Sequence, residues 1–119
     1  MRNLTVTLVQ TELAWESPAD NRQQFAQRLA SEPLMTDLIV LPEMFTTGFS
    51  MNAVANAEPP QGDTEAWMRD IAHRYDCAVT GSIAVREHGA VFNRLLFATP
   101  DTVTYYDKRH LFRMAGGHK

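Results

Sequence analysis

Cysteine is scarce in this sequence and basic residues are not in excess, and each feature excludes a class of protein. The one cysteine, Cys77, excludes an internal disulfide and a cysteine-rich metal site. Eleven Lys and Arg against fourteen Asp and Glu give a formal net charge of -3, which offers no electrostatic footprint for nucleic acid. No apolar run approaches the ~20 residues that span a membrane, and the first residues lack the apolar core of a signal peptide. We therefore expect a cytoplasmic chain with no nucleic-acid and no membrane partner.

The composition that is present suits one domain with a packed core. The chain has 119 residues, of which 45% are hydrophobic and 21% charged. Hydrophobic patterns predict strands over residues 4–9, 37–41, 77–86, 91–99 and 103–107. One helix is predicted from Ser17-Pro18 to Pro33, and a second opens at Gly62-Asp63. The predicted order is β-α-β-α-β-β-β.

Three connecting segments of the predicted fold also carry expectations. Residues 44–61 lack a clean period and are expected to form a long loop, and such loops in small domains are often functional. Residues 87–90 predict a hairpin turn, with Gly89 supplying the special backbone geometry. Residues 108–119 are basic and poorly periodic. The fold class is therefore α/β, with helices over one sheet, and the layer looks unfinished because no helices follow the last strands.

Two charged residues stand at predicted strand ends and are candidates for catalysis. Glu43 follows the apolar run 37–41, at the end of a strand where α/β sheets bind ligands. Its apolar neighbours would desolvate the carboxylate, which suits a general base, although a surface Glu is the plainer alternative. Lys108 follows the strand 103–107 and could stabilise a developing oxyanion, or could simply belong to a solvated basic patch.

The remaining reactive residue types give weaker signals. Cys77 begins a predicted buried strand without evident thiolate activation, so a small core residue is the favoured interpretation. The four histidines show no spacing typical of metal ligands, and no other metal motif is present. We therefore expect neither a metal nor another cofactor.

The functional signal from Glu43 and Lys108 becomes more specific when the segments around them are considered together. Residues 41–51, LPEMFTTGFSM, and residues 106–112, YDKRHLF, resemble the nitrilase, or carbon-nitrogen hydrolase, superfamily. Asn93 is similar to the asparagine of that family's "YN" strand, with Phe92 in place of the usual tyrosine. The runs FTTGFSM and KRHLFRMA look most like the omega-amidase, or 2-oxoglutaramate amidase, branch.

The resemblance implies a fold and a division of catalytic roles. The family fold is an α-β-β-α sandwich that dimerises, so residues 1–119 would be a partial domain, the first half of such a sandwich, truncated after the lysine motif. The family's catalytic set is Glu, Lys and Cys, which implies that Glu43 is the general base and that Lys108 stabilises the tetrahedral intermediate. The family's nucleophilic cysteine comes well after the lysine, so the resemblance cannot be carried onto Cys77.

The resemblance also implies a substrate class, and one alternative to catalysis stays open. Omega-amidases hydrolyse the terminal amide of short dicarboxylate monoamides such as 2-oxoglutaramate or succinamate and release ammonia. A substrate with a free carboxylate needs a basic partner, for which Arg113 and Arg109 are candidates. We expect the chain to be inactive alone and to form homo-oligomers. The alternative is a non-catalytic remnant that only self-associates or pairs with a relative.

Overall fold

The fold was obtained as a computed structural model that describes residues 4–11, 17–31, 34–48 and 51–113. The side chains of residues 51, 52, 109, 110, 112 and 113 lie outside this description. The described elements are, in chain order, β1 (Val6–Leu8), α1 (Pro18–Ala30), β2 (Leu38–Val40), α2 (Met51–Ala55), α3 (Asp63–Tyr75), β3 (Ala78–Glu87), β4 (Ala90–Ala98) and β5 (Val103–Arg113). No helix among these residues is long and apolar enough to cross a membrane.

The two long helices begin where the sequence predicts. The Ser17 side chain accepts a hydrogen bond from the backbone N–H of Asp20, and Pro18 occupies the first helical position of α1. Gly62 precedes α3 without offering a side-chain cap. The carboxylate of Glu58 accepts the Thr64 N–H instead, at 2.8 Å, so a residue from the preceding loop completes the start of α3.

The strands form one five-stranded sheet in the order β1-β2-β3-β4-β5. β1, β2 and β3 are parallel, whereas β4 and β5 pair antiparallel with their predecessors. The hairpin between β3 and β4 forms as predicted, with positive φ angles at His88 (54°) and Gly89 (75°). The α/β class is confirmed, and β1 and β2 are shorter than expected.

Two segments differ from the sequence prediction. The predicted long loop over 44–61 contains α2, so the observed order is β-α-β-α-α-β-β-β. The tail beyond Lys108 is predicted to be irregular, but β5 continues to Arg113 by pairing with residues 90–93 of β4. Two irregularities in the register interrupt this ladder and obscure the period of two that marks a strand in sequence.

The two faces of the sheet are covered unequally. α1 and α3 pack over one face on a core that includes Phe25, Met68, Val79 and Leu96. The opposite face, which we call the open face, has a small cluster beneath α2 formed by Met44, Ala53, Ala84 and Val91. Elsewhere on this face large apolar side chains remain exposed, namely Val6, Leu8, Leu95, Phe97 and Tyr106. The border between the covered and exposed parts is where the candidate site lies.

Candidate active site

Glu43 is placed by the chain that leaves β2. Two backbone hydrogen bonds continue along β3 after β2 has ended, from Leu41 N to Thr80 O at 2.8 Å and from Phe45 N to Ser82 O at 3.2 Å. The short apolar strand β2 thus delivers the carboxylate beyond its carboxyl end, as the sequence predicts. Glu43 therefore sits on a segment fixed at both sides by β3.

The residue after Glu43 has an unusual backbone conformation. Met44 has φ 54°, a left-handed value that costs about 1–3 kcal/mol for a non-glycine residue. Its N–H donates to the Ser82 hydroxyl at 3.0 Å, and its carbonyl accepts from Gly48 N at 2.7 Å. The buried amide of Asn21 in α1 donates to Thr46 O at 2.6 Å. These bonds hold the turn that points the Glu43 side chain away from the core.

The Glu43 carboxylate is the point at which three parts of the sheet meet. Its Oε2 accepts a hydrogen bond from Asn93 Nδ2 at 2.9 Å, and the same oxygen forms an ion pair with Lys108 Nζ. Asn93 lies in β4 and Lys108 in β5, so residues far apart in the sequence converge on one carboxylate. The two residues that the sequence singles out are therefore in direct contact.

The ion pair is partly exposed to solvent. The side chains of Glu43 and Lys108 are 39% and 41% exposed, so the carboxylate is partly and not fully removed from water. Met44 and Phe45 are fully buried because they turn into the two clusters of the core, away from the carboxylate. An ion pair this exposed contributes little to stability, about 0–1 kcal/mol.

Lys108 has a different position in the secondary structure from the predicted one. It was expected to follow a strand, but it lies inside β5 as an additional residue in the ladder. Arg94 pairs with Asp107, while the preceding residue of β4, Asn93, pairs with Arg109. Lys108 between them has no partner in the register, as in a β-bulge. The sequence prediction of a strand ending at 107 is corrected accordingly.

The two arginines predicted to bind the substrate lie partly outside the description. The backbone of Arg109 is opposite Asn93 in the ladder, and that of Arg113 is opposite Ala90. Their side chains belong to the residues that the structure does not describe. At about 3.3 Å per residue, the backbones lie roughly 13 Å apart along β5.

Cys77 lies at the other end of the sheet from Glu43. It precedes β3, whereas Glu43 is held near Ser82, about 16 Å further along that strand. The thiol is 6% exposed, and burial, then the charges of Asp76 and Asp37, raise its pKa above the ordinary value. The sequence-based interpretation of Cys77 as a core residue agrees with this position.

Several residues that shape the site were not identified from sequence. Ser82 lies in no recognisable motif, yet its hydroxyl accepts a hydrogen bond from the backbone N–H of Met44. Asn21 lies within a helix and gives no motif, although a polar residue on the apolar side of α1 was a detectable signal. Arg94 is a charged residue in a mostly apolar strand, and it is 3% exposed. Such buried polar positions are the available sequence signal for hidden hydrogen-bond partners.

The arrangement can move a proton and stabilise a negative charge. Glu43 can accept a proton from a nucleophile, and the Lys108 ammonium beside it can neutralise an anionic oxygen. Within the described part of the chain, no group of three or more His, Cys, Asp or Glu side chains lies close enough together to hold a metal ion. An adjacent acid–base carboxylate and cation are what acyl transfer from an amide requires besides a nucleophile.

The fold and this pair define a class of hydrolase, and the family comparison identifies it. Residues 5–119 match the family model described as carbon-nitrogen hydrolase, so the chain belongs to that family. A carbon-nitrogen hydrolase superfamily protein from Xanthomonas campestris superposes with a TM-score of 0.85 and 45% identity, over 100% of this chain and 48% of that chain. An N-terminal amidase at 15% identity and TM-score 0.74 shares the fold, over 88% of this chain and 28% of its own.

Within the family, the chain is similar to proteins that carry the name omega-amidase, the branch that its motifs resemble. It is 46% identical to the omega-amidase YafV of Yersinia enterocolitica over 99% of this chain and 46% of that protein. The corresponding values for the omega-amidase YafV of Escherichia coli K12 are 41%, 99% and 46%. The 2-oxoglutaramate amidase of Bacillus subtilis is 27% identical over 96% of this chain and 46% of its own. The chain thus spans about half the length of the curated relatives it matches.

Proposed function

We propose that this chain carries the base and the cation of an omega-amidase-type hydrolase, which removes the terminal amide of a short dicarboxylate monoamide as ammonia. The contact between Glu43 and Lys108 carries the proposal, because it joins the two family motifs at one carboxylate. The 40–46% identity to omega-amidases supports the branch. The proposed partner is a small-molecule amide, no cofactor is involved, and the proposed location is the cytoplasm.

The proposed chemistry needs a thiol that this chain does not place at the site. Glu43 takes the proton of that thiol, and the resulting thiolate adds to the amide carbon. Lys108 stabilises the oxyanion of the tetrahedral intermediate. The C–N bond then breaks, the Glu43 proton passes to the departing ammonia, and a thioester remains. Water, deprotonated by Glu43, then adds to the thioester carbon. The C–S bond breaks, the substrate leaves as a carboxylic acid, and the thiolate takes back the proton from Glu43.

Cys77 cannot supply this nucleophile from its position at the opposite end of β3. The relatives that carry the name omega-amidase are about twice as long as the matched segment. We therefore propose that the 119 residues act as a partial domain and release no ammonia alone.

The substrate carboxylate requires a cationic partner, and the strand register favours one of the two candidates. The backbone of Arg109 adjoins Lys108 and lies opposite Asn93, whereas Arg113 is about 13 Å further along β5. We assign the carboxylate contact to Arg109 first and keep Arg113 as a second candidate. An arginine fork suits a carboxylate because it can donate two parallel hydrogen bonds.

A non-catalytic role is the second candidate, and the open face favours it. Apolar side chains on that face, including Leu8, Phe97 and Tyr106, are exposed together with two edge strands. Exposed large apolar side chains on one face are typical of interaction sites. In this alternative, the chain self-associates or pairs with a relative without turning over an amide.

A hybrid enzyme tests the proposed function. Residues 1–119 would be joined to the remaining half of the Yersinia enterocolitica omega-amidase, and ammonia release from 2-oxoglutaramate and succinamate would be measured. We expect activity that falls at least about 100-fold in Glu43→Gln and in Lys108→Met. Arg109→Ala is expected to raise KM for these substrates and not for an uncharged amide of the same length. A folded hybrid with no activity, or one whose activity survives Glu43→Gln, would reject the proposal.

A further inference from the structure

The bulge that brings Lys108 to the site lies next to a buried charged residue. Arg94 and Asp107 are the last regular pair before the irregularity, and Lys108 follows Asp107 directly. Arg94 pairs with Ile83 of β3, so it lies on the helix-covered face, and Asn93 beside it lies on the open face. Fixing Asp107 on one face thus determines where the next residue of β5 goes.

Arg94 holds Asp107 with the geometry of a two-pronged ion pair. Its Nε donates to Asp107 Oδ1 at 2.6 Å and its Nη2 to Asp107 Oδ2 at 3.0 Å. Nη2 also donates to Glu87 Oε1 at 2.6 Å. The Tyr105 ring lies 4.1 Å from the guanidinium carbon. The hydrogen bond to Asp107 raises the pKa of Arg94 above its usual value, burial opposes the rise, and the Glu87 hydrogen bond adds to it.

The Arg94–Asp107 ion pair favours the observed pairing of β5 with β4 over pairings shifted by one residue. A shift of β5 by one residue would move every side chain of that strand to the opposite face and take Asp107 away from the Arg94 guanidinium, which is 3% exposed and would keep only Glu87 as a partner. Removing a two-pronged carboxylate partner from a buried guanidinium costs more than losing an exposed ion pair. The Lys108–Glu43 contact is itself exposed, so it cannot fix the register of β5. The stronger interaction therefore determines the position of the weaker one.

We propose that Arg94 is a positioning residue for Lys108. By binding Asp107 from the helix-covered face, it fixes β5 across the bulge, so that Lys108 is presented to Glu43 on the open face. That the placement of Lys108 matters for catalysis rests on the proposed function, whereas the placement itself does not. Glu87 binds the same guanidinium from β3 and has no part in placing β5.

Because the sequence has two lysines, this proposal can be tested by chemical labelling, without an assay of enzyme activity. Lys108 and Lys119 are the only lysines, so acylation by an amine reagent can be followed at both sites by mass spectrometry. The measured quantity is the acylation rate at Lys108 divided by the rate at Lys119. Comparing this ratio in the native protein and in urea reports whether Glu43 holds the Lys108 ammonium. Glu43→Gln calibrates the readout, and we expect it to raise the Lys108 rate about two- to fivefold.

A matched pair of variants separates positioning from general stability. Asp107→Asn and Glu87→Gln each neutralise one carboxylate partner of Arg94, but only Asp107 connects Arg94 to the strand that carries Lys108. We expect Asp107→Asn to raise the Lys108 rate to that of Glu43→Gln, and Glu87→Gln to leave it unchanged. Arg94→Lys, which keeps the charge and loses the fork, is expected to raise the rate by a smaller factor.

Two results would overturn the proposal. One is an unchanged Lys108 rate in folded Asp107→Asn. The other is an equal rise in Glu87→Gln, since a nonspecific loss of stability would then explain both. If Arg94→Lys fails to fold, the comparison of Asp107→Asn with Glu87→Gln still tests the proposal. An inactive hybrid enzyme with the expected acylation pattern would reject the proposed function and leave the positioning role of Arg94 standing.

Discussion

Asn93 presents its amide nitrogen to the Glu43 carboxylate from a fully buried position. Its Oδ1 atom has no hydrogen-bond partner among the described residues. A carboxylate only accepts hydrogen bonds, so the amide orientation is determined by Glu43, at the cost of leaving the oxygen unpaired. At the scale of one residue, the site thus gives up some stability for a fixed position of the Glu43 carboxylate.

Replacing Asn93 with aspartate should make that cost much larger. In Asn93→Asp, a second carboxylate would face Glu43 without a donor, so we expect the free energy of unfolding at pH 7 to fall by about 1–3 kcal/mol. The new group prefers its neutral form in the fold, so the loss should disappear below the ordinary aspartate pKa of about 4. Asn93→Leu is the size-matched control and should show no such pH dependence. Equal stability of Asn93→Asp and wild type at pH 7 would contradict this description.

The thiol of Cys77 gives a second prediction at the residue scale. Burial, with Asp76 and Asp37 nearby, raises its pKa in the fold above the ordinary value of 9.0. Below pH 9 the thiol is protonated in both states. At higher pH the unfolded chain loses the proton first, so this contribution to stability falls. Urea titrations should therefore show the stability advantage of wild type over Cys77→Ala shrinking above pH 9, and a constant difference would contradict the raised pKa.

Among the elements, α3 ends in a conformation that its sequence does not favour. Its C-terminal cap, Asp76, has φ 52° and ψ 57°, a left-handed conformation that glycine adopts at least cost. We expect Asp76→Gly to raise the free energy of unfolding by up to about 1 kcal/mol, measured by urea titration. The same change should speed labelling of Cys77 by a thiol reagent, because one cause of its raised pKa is removed. Asp76→Asn should speed labelling similarly without the full gain in stability, and a destabilised Asp76→Gly would contradict the backbone argument.

The elements also show how far local sequence determines this fold. α1 could be predicted because its Ser17 cap and Pro18 are local signals, and α3 because its apolar stripe is one. β3 and β4 could be predicted because their hairpin turn is local. β5 beyond Lys108 could not, because its pairing with β4 passes through two register irregularities. The family motifs located Glu43 and Lys108. The hydrogen-bond partners of Ser82, Asn21 and Arg94 depend on tertiary packing, so the sequence marks at most a polar residue among apolar ones and not the residue that it binds.

The whole molecule has one face of its sheet largely uncovered by helices. Leu8, Phe97 and Tyr106 are 72%, 43% and 67% exposed on this open face, and β1 and β5 are edge strands. Exposed apolar area and unpaired strand edges both favour association. This observation supports the proposal that the chain forms homo-oligomers.

A charge placed on the open face should weaken that association. We expect size-exclusion chromatography of the wild-type chain to show an oligomer or soluble aggregate, and Phe97→Lys to move the population toward monomer. Ala66→Lys adds the same charge to an exposed position of α3, on the helix-covered side, and should leave the elution unchanged. A sharp monomer peak for the wild-type chain, with cooperative melting, would reject the oligomer.

The central claim is that the 119 residues hold the base and the cation of an amide hydrolase without its nucleophile. Ammonia release from 2-oxoglutaramate by the purified chain, beside its Cys77→Ala variant, tests this claim most directly. We predict no release from either protein, because the only thiol lies about 16 Å along β3 from Ser82, the residue that holds the backbone next to Glu43. Release by the wild-type chain that disappears in Cys77→Ala would contradict the account and identify Cys77 as the nucleophile of a short, active enzyme.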